Sequence, residues 1–330
     1  MPCPLGEAMR RREFITLCVG ATTWPFVAPA QHAPKVIGFL GSGSPEPSRL
    51  RVFWKALNEA GFVDGQNCAI EFRWAEGQYN LLPALAADLV RRQVSLIMAS
   101  GPPAARAAKA ATSTIPIVFT TGSDPVRDGL VESLSRPGDN VTGLTLFTVN
   151  LAAKRLDLLR VLVPHAATIA ILVNPNTSIA EPQKKDVQAA VSTLGLKLHV
   201  FEAATESELD NAFSTITRLK VDALVVANDP FFNNQRSKIA ALAANYATPA
   251  IYEWREYAEA GGLMSYGTIA TEVYYQAGIY VGRILKGTQP STLPVLQPTK
   301  FELVINVKAA KALGLEIPHD FLMLADEVIE

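Results

Sequence analysis

Twice in this chain a carboxylate follows an aliphatic run and stands directly before a proline: Asp124 in "IPIVFTTGSDPV" and Asp229 in "VDALVVANDPFF". An aspartate placed there can accept hydrogen bonds from the first N–H groups of a helix that begins at the proline. It can also receive an ammonium group in a dry cleft, and a carboxylate has lone pairs enough for both tasks. The neighbouring loops are small and hydroxylic: Ser42, Gly43 and Ser44, then Ser100 and Gly101, then Thr121, Gly122 and Ser123. Short side chains let backbone N–H groups come close to a carboxylate or another anion. Asn228 precedes Asp229, while Tyr252, Trp254 and Tyr266 offer flat faces to an apolar or ring-bearing group. The candidate ligand residues are therefore Ser42, Ser44, Ser100, Gly101, Thr121, Ser123, Asp124, Asn228, Asp229, Tyr252, Trp254 and Tyr266.

Other chemistries find little support. Gly41 and Gly43 match the first two glycines of a dinucleotide fingerprint, but Glu46 stands where the third belongs, and no P-loop pattern occurs. His32, His165, His199 and His319 are scattered without ligand spacing, so neither a metal nor a cofactor is expected. Cys68 is alone after the first eighteen residues and has no histidine nearby. Ser265 in "LMSYG" lacks the glycine that a nucleophile elbow needs two positions earlier. A net charge of −1 argues against nucleic acid, whose phosphates call for a basic face.

The elements that must position these loops repeat. "KVIGFLGSGSPEPSRLRVFWKALNEAGF" and "TIAILVNPNTSIAEPQKKDVQAAVSTLGL" each give a strand, a polar loop, a helix and a closing glycine, Gly61 and Gly195. Their continuations both run strand, loop, helix, proline, strand. The fold class is α/β: two similar lobes, each a parallel sheet flanked by helices. Strands are expected at 35–41, 67–73, 94–99 and 116–120, and again at 168–173, 197–202, 222–227 and 249–253. The segment around Asn140 to Leu151 links the lobes. A helix over 270–287 returns to the first lobe and the strand "FELVIN" joins the second, so three connections form a hinge. The lobes are then 31–146 with about 267–292, and 147–266 with about 293–330.

Residues 1–30 form an export leader. Arg11-Arg12-Glu13-Phe14-Ile15 resembles the twin-arginine signal, an uncharged stretch follows, and cleavage falls after Ala30. Cys18 has only Leu17 as a lipobox-like neighbour, which points to a freely diffusing periplasmic form; a monomer is expected.

"RWAEGQYNLLPALAADLV", "IPIVFTTGSDPV", "RPGDNVTG", "GGLMSYG" and "LPVLQPTKFELVINVKAAKALGL" resemble the type I substrate-binding proteins of ATP-driven importers, in the subfamily of tryptophan-binding lipoproteins. The resemblance implies an aromatic or branched amino acid in the cleft and an ABC permease in the inner membrane as partner. Two other uses of the same cleft remain open: an exported α/β enzyme built on Ser265 or Asp229, and a sensor ectodomain partner.

Overall fold

The computed structural model describes residues 34–146 and 151–330; the leader and segment 147–150 lie outside the described residues. Strands β1 (Lys35–Gly41), β2 (Cys68–Trp74), β3 (Leu96–Ser100), β4 (Ile117–Thr121) and β5 (Val141–Thr145) form a parallel sheet in the order β2-β1-β3-β4-β5. A second sheet contains β6 (Thr168–Val173), β7 (Lys197–Glu202), β8 (Ala223–Val226), β9 (Ala250–Tyr252), β10 (Met264–Thr268), β11 (Phe301–Asn306) and β12 (Glu327–Ile329). Its order is β12-β11-β10-β9-β8-β6-β7, so its first five strands in sequence repeat the arrangement of the first sheet. The duplication read from the sequence is thus a duplication of topology.

Helices cover both faces of each sheet, and the strands show it. Ile37 and Phe39 of β1 point into one core with Phe53 and Leu57, while Leu40 points into another with Leu82, Leu89 and Ala104. That two-sided burial explains why the central strands are unbroken aliphatic runs. By contrast β7, at the sheet edge, leaves Lys197, Val200 and Glu202 exposed.

The helix Pro47–Glu59 starts with proline at its first position and buries Phe53, Ala56 and Leu57, spaced three and four apart. It stops at Gly61, whose φ of +87° lets the Gly61 and Phe62 N–H groups turn back onto Asn58 and Leu57. Gly195 ends the equivalent helix in the second half with φ +67°.

Two expectations need correction. The segment after Asn140 begins as a strand rather than as a link: β5 pairs with β4, and the Thr142 hydroxyl donates to the Leu293 carbonyl at 2.6 Å. Its Val-Thr-Gly-Leu-Thr sequence carries too few apolar residues to announce a buried strand. The second sheet is also not wholly parallel, because β11 runs antiparallel to β10.

The chain passes between the sheets after β5, after β10 and again before β11. These crossings touch: Leu296 pairs with Leu144, and the Thr268 hydroxyl donates to the Leu146 carbonyl at 2.7 Å. After the second crossing the helix Ala270–Leu285 lies against Pro47–Glu59, so closely that a Cβ on Gly278 would stand 2.7 Å from both Ala56 Cβ and the Phe53 carbonyl.

Candidate ligand cleft

In each sheet the strand order reverses at the first strand of its half, and the loops leaving the carboxyl ends there open a crevice. The two crevices face one another across a cavity of 340 Å3. From the first half come Ser44, Glu46 and Arg49 after β1, Trp74 at the end of β2, Ser100 at the end of β3 with Gly101 after it, and Gly122 after β4. The second half contributes Asn228, Pro230, Asn234 and Arg236 after β8, then Trp254, Glu256 and Tyr257 after β9. Tyr274, from the returning helix, completes the aromatic lining beside Trp74 and Trp254.

Charge crosses this cavity in both directions. Arg49 reaches Glu256 at 3.2 Å, and Arg236 reaches Glu46 at 3.2 Å. The Arg49 guanidinium lies 4.7 Å over the Trp254 ring and 5.9 Å from that of Tyr274. Burial pushes the Glu256 carboxyl up, but the charges of Arg49 and Arg236 and the hydrogen bond from Arg49 outweigh it, leaving the group below its usual value. Trp254 is fixed in turn, since its Nε1–H donates to Asn228 Oδ1 at 3.0 Å. Asn228 itself exchanges two backbone hydrogen bonds with the Gln183 amide.

Of the twelve residues expected at the ligand, Ser44, Ser100, Gly101, Asn228 and Trp254 line the cavity. The other seven are engaged elsewhere. Ser42 is buried and accepts the Ala104 N–H at 3.0 Å, capping the helix Pro102–Ala111 from outside. Thr121 and Ser123 bond to each other through their hydroxyls at 2.7 Å. Asp124 is exposed and accepts the N–H groups of Val126 and Arg127. Tyr252 is buried in the second lobe, stacked on Tyr257 at 4.4 Å, and Tyr266 packs on Phe301.

Asp229 is the N-cap of the short helix Pro230–Asn234 and is buried there. It accepts from the N–H groups of Phe231 and Phe232, from Asn174 Nδ2 at 3.0 Å and from the Tyr79 hydroxyl at 2.9 Å. Burial raises its pKa to about 6 against the pull of these donors. The Tyr79 contact comes from the first lobe, so this carboxylate ties the lobes together beside the cavity rather than facing it.

The residues that loop reading missed are Glu46, Arg49, Trp74, Arg236, Glu256 and Tyr274. Five of these sit on or at the end of a helix and one closes a strand, where sequence alone assigns a solvent face or core. One signal was present: Glu46 and Arg49 bracket the first turn of a helix that begins with proline, next to the glycine-rich loop. Ser265 is buried within β10 and outside the cavity lining, and among the described residues no group of histidine, cysteine, aspartate and glutamate has the makings of a metal site.

A duplicated sheet order, three chain crossings and a solute-sized cavity between carboxyl edges define a solute-binding protein of the type I periplasmic fold. The chain belongs to the family of ABC transporter substrate binding proteins, whose family model matches residues 48–329. Its function is accordingly solute recognition for a membrane transporter, not catalysis. A tyrosine-binding protein of Clostridioides difficile is 29% identical over 264 residues, 80% of this chain and 76% of that one. An ABC domain from Streptococcus pneumonia, solved in complex with L-Trp, is 26% identical and superposes with a TM-score of 0.81 over 90% of this chain and 100% of that one. The ligand-free, open structure of a substrate binding protein with adhesive properties from Clostridium difficile is 30% identical, covers 89% of this chain and 99% of that one, and superposes at only 0.64. Closer superposition on the liganded relative, despite lower identity, agrees with a cleft whose walls already touch.

Proposed function

We propose that this protein captures an aromatic or branched amino acid between its lobes and presents it to the permease of an ABC importer. The observation that carries the reading is the cleft walled by Trp74, Trp254 and Tyr274 and floored by small polar loops. Its 340 Å3 falls at the small end of ligand pockets, suited to a compact solute held between the lobes. Ser44, Ser100, Gly101 and Asn228 supply polar contacts and Trp254 a stacking face. The bodies that close are residues 31–146 with about 267–292 and residues 147–266 with about 293–330, turning on the three crossings.

The leader of residues 1–30 sends the folded monomer through the twin-arginine route to the periplasm, with cleavage after Ala30. Tyrosine and tryptophan, bound by the relatives described above, are the first solutes to test. Native mass spectrometry of protein purified from periplasm, followed by denaturation, is expected to release one amino acid per chain. Its mature N-terminus is expected at Gln31. An emptied protein whose melting temperature no aromatic or branched amino acid raises would remove this reading.

A further inference from the structure

We propose that Arg49 and Glu256, facing each other across the cleft, are the receptor for the α-carboxylate and α-ammonium of the solute, and that they select free amino acids over their amine and acid analogues. This rests on the solute-binding reading above and adds to it the chemical group that is recognised.

Asp124 is exposed and outside the cavity, and Asp229 already accepts from four donors. Glu46 and Glu256 are the carboxylates in the cavity lining. Of these Glu256 lies deeper, with a side-chain exposure of 14% against 21% for Glu46. A guanidinium has five N–H donors, yet Arg49 spends one on Glu256 Oε1 and leaves Nε without a partner. Glu256 Oε2 likewise has none. A buried ion pair joined by a single hydrogen bond is incomplete, because buried charges need their remaining sites filled. A zwitterion laid head to tail beside the pair fills both: its carboxylate meets the Arg49 fork and its ammonium the Glu256 carboxylate.

The backbone agrees on where the carboxylate goes. The helix Pro102–Ala111 offers it little, since Pro102 and Pro103 have no N–H and the Ala104 N–H is taken by Ser42. The helix Pro47–Glu59 has no side-chain cap, and its first turn carries Arg49 itself, so its positive end adds to the guanidinium. Trp254 and Tyr274 hold the guanidinium plane from the side. Arg49 belongs to the first half and Glu256 to the second, so a zwitterion between them touches both lobes and favours closure.

The test is isothermal titration of the mature chain with L-tyrosine, L-tryptophan and L-leucine, and with tyramine and 3-(4-hydroxyphenyl)propionate, which lack the carboxylate and the amine respectively. Wild type is expected to bind at least one of the amino acids and to bind both analogues about 100-fold more weakly than L-tyrosine. Arg49→Gln should weaken L-tyrosine about 30-fold while leaving tyramine unchanged, and Glu256→Gln should do the same with the propionate as the insensitive ligand. Circular dichroism and melting temperature confirm that both variants fold; should either fail, Arg49→Lys and Glu256→Asp replace it. Equal weakening of every ligand would mean that the pair only clasps the lobes and would overturn the assignment, as would unchanged L-tyrosine affinity, with the solute-binding reading intact. No binding of any amino acid to wild type would overturn both.

Discussion

At the scale of single residues, Asp229 shows how one carboxylate can be legible and still be misjudged. Its place before Pro230 correctly marks a helix start, and its side chain does cap that helix. What the sequence hides is the partner from the other lobe, the Tyr79 hydroxyl, which ties this carboxylate to the first lobe. Burial lifts the Asp229 pKa to about 6, above the value near 4 of an unfolded chain. Between those values the native state holds a proton that the unfolded chain has lost. The group therefore favours the fold below about pH 4, and that contribution, of the order of 3 kcal/mol at most, is lost as pH rises through 6. Asp229→Asn keeps a side-chain cap and removes the titration, so its melting temperature should vary less than wild type between pH 4 and 7. Thermal melts in a pH series check this; parallel curves would show that Asp229 is not the source.

At the scale of elements, the strands and helices of both halves were readable because each is closed by punctuation that admits few residues. Gly61 and Gly195 adopt positive φ where a Cβ is costly, and the prolines ahead of β4 and β9 fix the turn into each strand. The strand β5 escaped because Thr142, Gly143 and Thr145 give it little apolar pattern, and it is buried by the returning segment around Leu293 to Leu296. The helix Ala270–Leu285 was readable from its buried Val273, Ala277, Val281 and Ile284, but the reason for Gly278 was not. That glycine allows contact with backbone, which cannot yield as a flexible side chain would. Gly278→Val should cost about 2–4 kcal/mol, by overpacking and by a β-branched side chain in a tight helix contact. Urea unfolding measures it, and a change below about 0.5 kcal/mol would show that the two helices can separate freely.

At the scale of the whole molecule, several contacts join the halves besides the charge pairs across the cavity. Besides Tyr79 with Asp229, the Ser178 hydroxyl donates to Asp128 at 2.7 Å and the Ser44 N–H to Asn234 Oδ1 at 2.9 Å. Each lowers the free energy of the closed form whether or not a solute is present, so each raises solute affinity by shifting the population. Tyr79→Phe removes the bond to Asp229 and leaves the ring in place; the Phe231 N–H, which also donates to the Tyr79 hydroxyl at 3.1 Å, keeps Asp229 as its acceptor. Solute affinity should fall about fivefold, mainly through faster release, as expected for one hydrogen bond worth about 1 kcal/mol. Stopped-flow release of bound amino acid reads this directly; an unchanged release rate would mean that this bond does not favour the closed form.

The sequence by itself determined the duplicated α/β plan and the loops from which a cleft is built, because local periodicity and turn residues follow from the chain within one unit. Tertiary structure alone decided which side chains face the cavity. Arg49 and Glu256 are 207 positions apart, each on an element that sequence assigns a solvent face. They meet because two sheets present their carboxyl edges to one another, and helix direction there turns two surface charges into the walls of one site.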